Sequence, residues 1–243
     1  MIGHKKNFIS PGLHQFDVIS NVPFSNSSEL QNFKEVILLL HGFCEKGATI
    51  YKRLGDKINQ LLNNNHQDVL ILAPNGLYPI LKEHPFGPAS GHNKKAENLL
   101  RGYSWYFYHQ SSDSFLIDYK VPAETLGHWI NNILPSELPV TIVGYSQGGY
   151  LAPFVGLELK NPKKIIGVNC SFREEMLPKV PYFPMYLIQG REDRVIDTEL
   201  SYLRFEKIKE RGLREGEFIW VPDQDHKLTK EISQVVLETL GTY

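Results

Sequence analysis

Short apolar runs rich in β-branched residues recur along the chain, at Gln15–Ser20, Glu35–Leu40, Val69–Ala73, Val140–Gly144, Ile165–Asn169, Met185–Gln189 and Glu217–Val221. Stretches of helical character separate most of them: Ala48–Leu62, Ala123–Ile133, Gly149–Leu159, Thr198–Arg211 and Lys227–Leu240. A run such as Val36-Ile37-Leu38-Leu39-Leu40 shows no polar alternation, so it predicts a strand buried on both faces. Strands of that kind alternating with helices predict a mostly parallel sheet with helices on both sides. Ligands of such sheets bind beyond the carboxyl ends of the strands.

One region breaks the pattern. From Asn75 to about Lys120 the chain is irregular and rich in Pro, Gly and aromatic residues, with Pro85-Phe86-Gly87-Pro88 followed by Tyr103, Trp105, Tyr106, Phe107, Tyr108 and Phe115. Loops this long are usually functional or disordered, and the aromatic density argues against disorder. Two readings stand. The rings cap the sheet, or some of them, Trp105 first, line an apolar acyl pocket.

Composition changes this picture little. A chain of 243 residues is read as one domain, long enough to bury roughly 70–75% of its unfolded surface. Within it, about 1–33 is an N-terminal edge strand and loop, and about 75–120 a cap-like insertion. With 22% charged residues and a net charge of −1, neither nucleic acid nor an anionic membrane is an expected partner. The stretch Met1–Asn7 lacks the apolar run of a secretory signal, and no run is long enough to span a bilayer. Two cysteines, Cys44 and Cys170, make no disulfide framework. The expectation is a cytoplasmic protein; the oligomeric state stays open.

The chemistry enters at Gly144-Tyr145-Ser146-Gln147-Gly148-Gly149, between a predicted strand and a predicted helix. Gly-x-Ser-x-Gly in that context is the nucleophile elbow of α/β-hydrolases. The turn is so tight that flanking side chains would collide; Gly144 and Gly148 remove them and let Ser146 project from the sheet edge. A serine hydroxyl needs a base in reach, and the base needs an anion to hold its tautomer. These follow in the chain order serine, acid, histidine. Of nine histidines only His226 lies after Ser146, so His226 is the base by elimination. The acid belongs on the loop Arg191-Glu192-Asp193-Arg194-Val195, where Asp193 is the choice and Glu192 and Asp197 are its rivals. Oxyanion donors are expected from the Gln147 N–H and, in the loop His41-Gly42-Phe43-Cys44, from the Phe43 N–H. His41 precedes the elbow and is read as ordering that loop. Trp105 and Tyr145 are read as substrate-binding, and Cys44 as a small buried residue of the oxyanion loop.

Together these pieces resemble the phospholipase/carboxylesterase family that includes the acyl-protein thioesterases. The matching residues are Leu40-His41-Gly42, Ser104-Trp105-Tyr106, the Gly144–Gly149 elbow and the acid loop Gly190 to Val195, over a pattern from about Val36 to Leu240. The chain departs from that pattern at Cys44-Glu45, at Gln189 in place of a histidine, at Ile196-Asp197 and at Asp225. The departures mark a divergent branch, so no specific substrate is carried over. The resemblance implies an α/β-hydrolase fold with Ser146, Asp193 and His226 as a triad. It implies hydrolysis of a small-molecule ester or thioester without metal or organic cofactor. The rival readings are a ligand-binding protein on a hydrolase fold and a serine acyltransferase.

Overall fold

The computed structural model describes residues 4–9, 15–22, 30, 32–64, 68–81 and 100–241. The Pro85–Pro88 stretch of the insertion lies outside them. Eight strands form one sheet: β1 (His4–Ile9), β2 (Gln15–Ser20), β3 (Glu35–Leu40), β4 (Val69–Pro74), β5 (Val140–Tyr145), β6 (Pro162–Val168), β7 (Met185–Gly190) and β8 (Gly216–Val221). Their spatial order is β1-β2-β4-β3-β5-β6-β7-β8. The β1–β2 and β2–β4 pairings are antiparallel and all others parallel. This is the α/β-hydrolase fold.

The continuous apolar runs explain the layering. Alternate residues of β3 serve opposite faces: Val36, Leu38 and Leu40 join one core with Ile142, Leu126 and Leu151, whereas Ile37 and Leu39 join the other with Ile50, Leu54 and Val236. On the first face lie α3 (Lys120–Ile133), α4 (Gln147–Glu158) and α5 (Thr198–Glu210). On the second lie α1 (Gly47–Ile50), a π-helical turn at Tyr51–Gly55, α2 (Asp56–Asn64) and α6 (Lys230–Gly241). Each large aliphatic side chain so buried stabilises the fold by about 1.5–3 kcal/mol before entropy is counted.

The insertion contributes two small antiparallel ribbons, Tyr78–Leu81 with Leu100–Ser104 and Tyr108–His109 with Ser114–Phe115. The first is tied to the loop after β3: the Cys44 N–H donates to the Tyr103 carbonyl at 2.9 Å, and the Tyr103 N–H to the Glu45 carbonyl at 2.8 Å. Part of the insertion is thereby fastened to the carboxyl edge of the sheet, where the loops after β3, β5, β7 and β8 converge.

Candidate active site

Ser146 occupies the turn between β5 and α4 with φ +50° and ψ −116°. Such a conformation costs a non-glycine residue on the order of 1–3 kcal/mol and persists only where the surroundings enforce it. They do so by close packing. A Cβ on Gly144 would run into the Gly148 carbonyl oxygen, and one on Gly148 into the carbonyl oxygens of Leu40 and His41. The Ser146 N–H donates to the Val168 carbonyl at 2.9 Å, pinning the turn to the end of β6.

The Ser146 Oγ lies 2.9 Å from His226 Nε2, and His226 Nδ1 lies 2.8 Å from Asp193 Oδ2. A carboxylate only accepts, so Nδ1 carries the proton and Nε2 presents its lone pair to the serine hydroxyl. The Asp193 side chain has no exposed surface. Its Oδ1 accepts from the Val195 and Ile196 N–H groups at 2.8 and 3.0 Å, and its Oδ2 also accepts from Gln189 Nε2 at 2.9 Å. Burial alone would raise its pKa; the hydrogen bonds from His226, Ile196 and Val195 outweigh that and hold it below the ordinary carboxylate value. The rivals are placed elsewhere. Glu192 is exposed, and Asp197 caps α5 by accepting from the Leu200 N–H at 3.0 Å.

The His226 loop has its own supports. The Tyr145 hydroxyl donates to the His226 carbonyl at 2.7 Å. Asn169, buried with φ +46°, accepts from the Gly190 N–H at 2.9 Å and points its amide at the Asp225 carbonyl, 3.2 Å away. No motif marks Asn169, which ties the loop after β7 to the loop after β8; Gln189, the departure noted before the acid-loop glycine, holds Asp193 within its own loop.

On the other side of Ser146 stands the loop after β3. His41 is fully buried: its Nδ1 donates to the Gly42 carbonyl at 2.7 Å, and its Nε2 accepts from the Gly76 N–H at 2.9 Å. Burial pushes its pKa down to about 4, with partial compensation from the Gly42 bond, so the ring is neutral. In a trans peptide the carbonyl and the following N–H point in opposite directions. With the Gly42 carbonyl held by His41, the Phe43 N–H is turned away from that ring. The Phe43 and Gln147 N–H groups have no acceptor among the described residues. Glu45 accepts from the Gly42 N–H at 3.2 Å and pairs with Arg53 at 2.5 Å. Cys44 is half-buried with φ +60°.

Two substrate-binding expectations need correction. Trp105 is 0% exposed, with its indole N–H donating to the His41 carbonyl at 2.8 Å. It has no surface to offer a ligand, because a ring this large with one polar atom was drawn wholly into the core. Tyr145 is buried, and its hydroxyl serves His226. The rings that do reach the surface beside the loop are Phe107 and Phe115, with Phe43, Tyr108 and Phe115 packed at centroid distances of 4.8–5.0 Å. A separate cleft of about 430 Å³ is lined by Ile117, Tyr119, Phe154, Leu157, Met176 and Pro178 together with the charged Asp118, Lys120, Glu124 and Glu158; Ser146, His226 and Asp193 are not part of its lining.

The family model for serine hydrolases (FSH1) matches residues 31–228, a span containing Phe43, Ser146, Gln147, Asp193 and His226. The chain belongs to the FSH1 serine hydrolase family. Among solved structures this serine hydrolase is similar to a carboxylesterase from Mesorhizobium loti (TM-score 0.65, 14% identity, covering 98% of this chain and 99% of that one). It is also similar to acyl-protein thioesterase 2 from Zea mays (TM-score 0.62, 16% identity, 92% and 96% covered) and to esterase PE8 (TM-score 0.60, 18% identity, 99% and 98% covered). At these identities the likeness establishes the fold. Among curated proteins none matches this serine hydrolase by sequence. No helix among its described residues is long and apolar enough to cross a membrane.

Proposed function

We propose that this serine hydrolase cleaves carboxylic esters or thioesters of small molecules through an acyl-enzyme on Ser146, the whole chain forming one catalytic domain with 75–120 as its insertion. The observation that carries this reading is the unbroken hydrogen-bonded chain from Ser146 Oγ through His226 to the buried Asp193 carboxylate. His226 Nε2 takes the hydroxyl proton as Oγ bonds to the substrate carbonyl carbon. The resulting oxyanion accepts from the Phe43 and Gln147 N–H groups, and Asp193 stabilises the imidazolium. Collapse breaks the bond to the leaving alcohol or thiol, which departs with the proton from His226. Water then enters and gives a proton to His226 as its oxygen bonds to the acyl carbon; collapse breaks the bond from that carbon to Oγ, His226 returns the proton to Oγ, and the acid leaves. The acyl group sits against Phe43 and the two rings packed on it, Tyr108 and Phe115.

The test is labelling by a fluorophosphonate together with hydrolysis of p-nitrophenyl esters from acetate to palmitate, on wild type and Ser146→Ala. Labelling should vanish in the variant and kcat fall on the order of 10⁶-fold, since triad members act as a unit. A loss of less than about tenfold would sink the assignment. Acyl transfer to an added alcohol in preference to water would make the protein a transferase.

A further inference from the structure

A pocket-lining role for Trp105 requires open surface, and the residue has none. What it has instead is two N–H groups engaged on opposite sides of the oxyanion site. Its backbone N–H donates to Gln147 Oε1 at 2.9 Å, on the nucleophile turn. Its indole N–H donates to the His41 carbonyl at 2.8 Å, on the loop after β3. Resting on the mechanism proposed above, we infer that Trp105 and the Gln147 side chain are the brace that sets the gap between the two oxyanion donors. Trp105 is thus a positioning residue carried in by the insertion.

Every atom of the brace is committed. The Gln147 amide cannot turn over, because Oε1 faces the Trp105 N–H while Nε2 donates to Ser104 Oγ at 2.9 Å. That hydroxyl in turn donates to the Tyr106 carbonyl at 2.5 Å. His41, Ser104 and Trp105 are fully buried and Gln147 nearly so, in a setting where water offers no substitute partner. The Trp105 and His41 rings pack with centroids 4.8 Å apart. Holding the His41 carbonyl and ring also fixes the Gly42 carbonyl that His41 engages, and with it the direction of the Phe43 N–H.

The gap is limited from both directions. The backbone of Gly148 lies against the Leu40 and His41 carbonyls, so the two loops cannot close further. The two Trp105 hydrogen bonds stop them from opening. An oxyanion hole needs this, because its donors act at roughly 2.7–3.1 Å from the developing charge and lose strength quickly beyond. The Cys44–Tyr103 and Tyr103–Glu45 bonds fasten the brace to the same loop three and four residues beyond His41.

The test compares Trp105→Phe, which keeps a ring but lacks the indole N–H, with Gln147→Met, which keeps length but lacks the amide. Each is assayed with p-nitrophenyl butyrate and p-nitrophenyl dodecanoate, and with a trifluoromethyl ketone whose tetrahedral adduct places an oxyanion between the donors. The expected result is a fall in kcat of about 10- to 100-fold with KM little changed. It should be equal for both esters and matched by the same fold loss in affinity for the ketone. A loss confined to the dodecanoate ester would return Trp105 to the acyl pocket and overturn the inference. So would unchanged kcat and ketone affinity per folded molecule, with folded fractions measured by circular dichroism. If Trp105→Phe does not fold, Gln147→Met reads the same gap from the other loop. A wild type that neither hydrolyses the esters nor binds the ketone would sink the mechanism itself, a result distinct from either.

Discussion

On one side of Ser146 the proposed acid–base pair consists of two ionisable side chains on separate loops, His226 after β8 and Asp193 after β7, joined to each other and to the fold by hydrogen bonds. On the other side the proposed donors are peptide N–H groups. They belong to backbone packed directly on backbone and braced by the buried Ser104, Trp105 and Gln147. The first arm can be altered one polar atom at a time, as by Asp193→Asn. The second cannot, because its working parts are also its packing.

Asp193→Asn gives the largest contrast. The Val195 and Ile196 N–H groups will select the amide oxygen, leaving the amide nitrogen against His226 and forcing the proton from Nδ1 to Nε2. The base is then blocked, and kcat should drop about 10⁴-fold, with a thermal melt close to wild type. A melt that collapses instead would show that the acid–base arm is also structural.

The second test probes the other arm by pH. His41 stays neutral in the fold to about pH 4 but takes up a proton near its ordinary value of 6.5 when unfolded. Its contribution to stability is therefore full above 6.5 and is lost as the pH falls toward 4. Between pH 7 and 5 this removes about 2 kcal/mol. Urea denaturation at both values should show a smaller difference for His41→Asn than for wild type; equal differences would mean that the ring is not held neutral.

The smallest effect is expected where the arms meet. Burial pushes the Tyr145 hydroxyl up to about 12, so it remains a donor to the His226 carbonyl at working pH. Tyr145→Phe should cost about 1 kcal/mol of stability and reduce kcat severalfold. No change in kcat would mean that the His226 loop holds its place without this bond.

The strands of the parallel sheet and the helices over it were legible because burial on both faces leaves a bare apolar signature. The tight turn at Ser146 and the meeting of Ser146, His226 and Asp193 were legible because few residue types suit such a turn and such a hydrogen-bonded chain. What escaped was set by tertiary context. β6 begins at Pro162 instead of Ile165, its two lysines masked by charge: Lys163 pairs with Glu35 at 2.7 Å, and Lys164 donates to the Thr239 carbonyl at 3.0 Å. The predicted continuous helix from Ala48 holds a π-helical turn at Tyr51–Gly55, where the Tyr51 ring crowds Gly55. β1, with the sequence HKKNFI, carries too few apolar residues to read as a strand. Within the site, Asn169 gains its role from loops distant in sequence, and Gln189 from a carboxylate four residues on that only the folded loop turns back toward it. An aromatic cluster does not reveal which ring turns inward, so Trp105 read as a pocket wall.

The contact of Gly148 with the Leu40 and His41 carbonyls has a consequence for how this site can change over generations. Where two side chains crowd, a smaller neighbour can restore the fit. Here the crowding partners are main-chain oxygens, which every amino acid carries alike. A change of side chain elsewhere cannot shrink those oxygens, so a larger residue at 148 requires the main chain of the two loops to move apart.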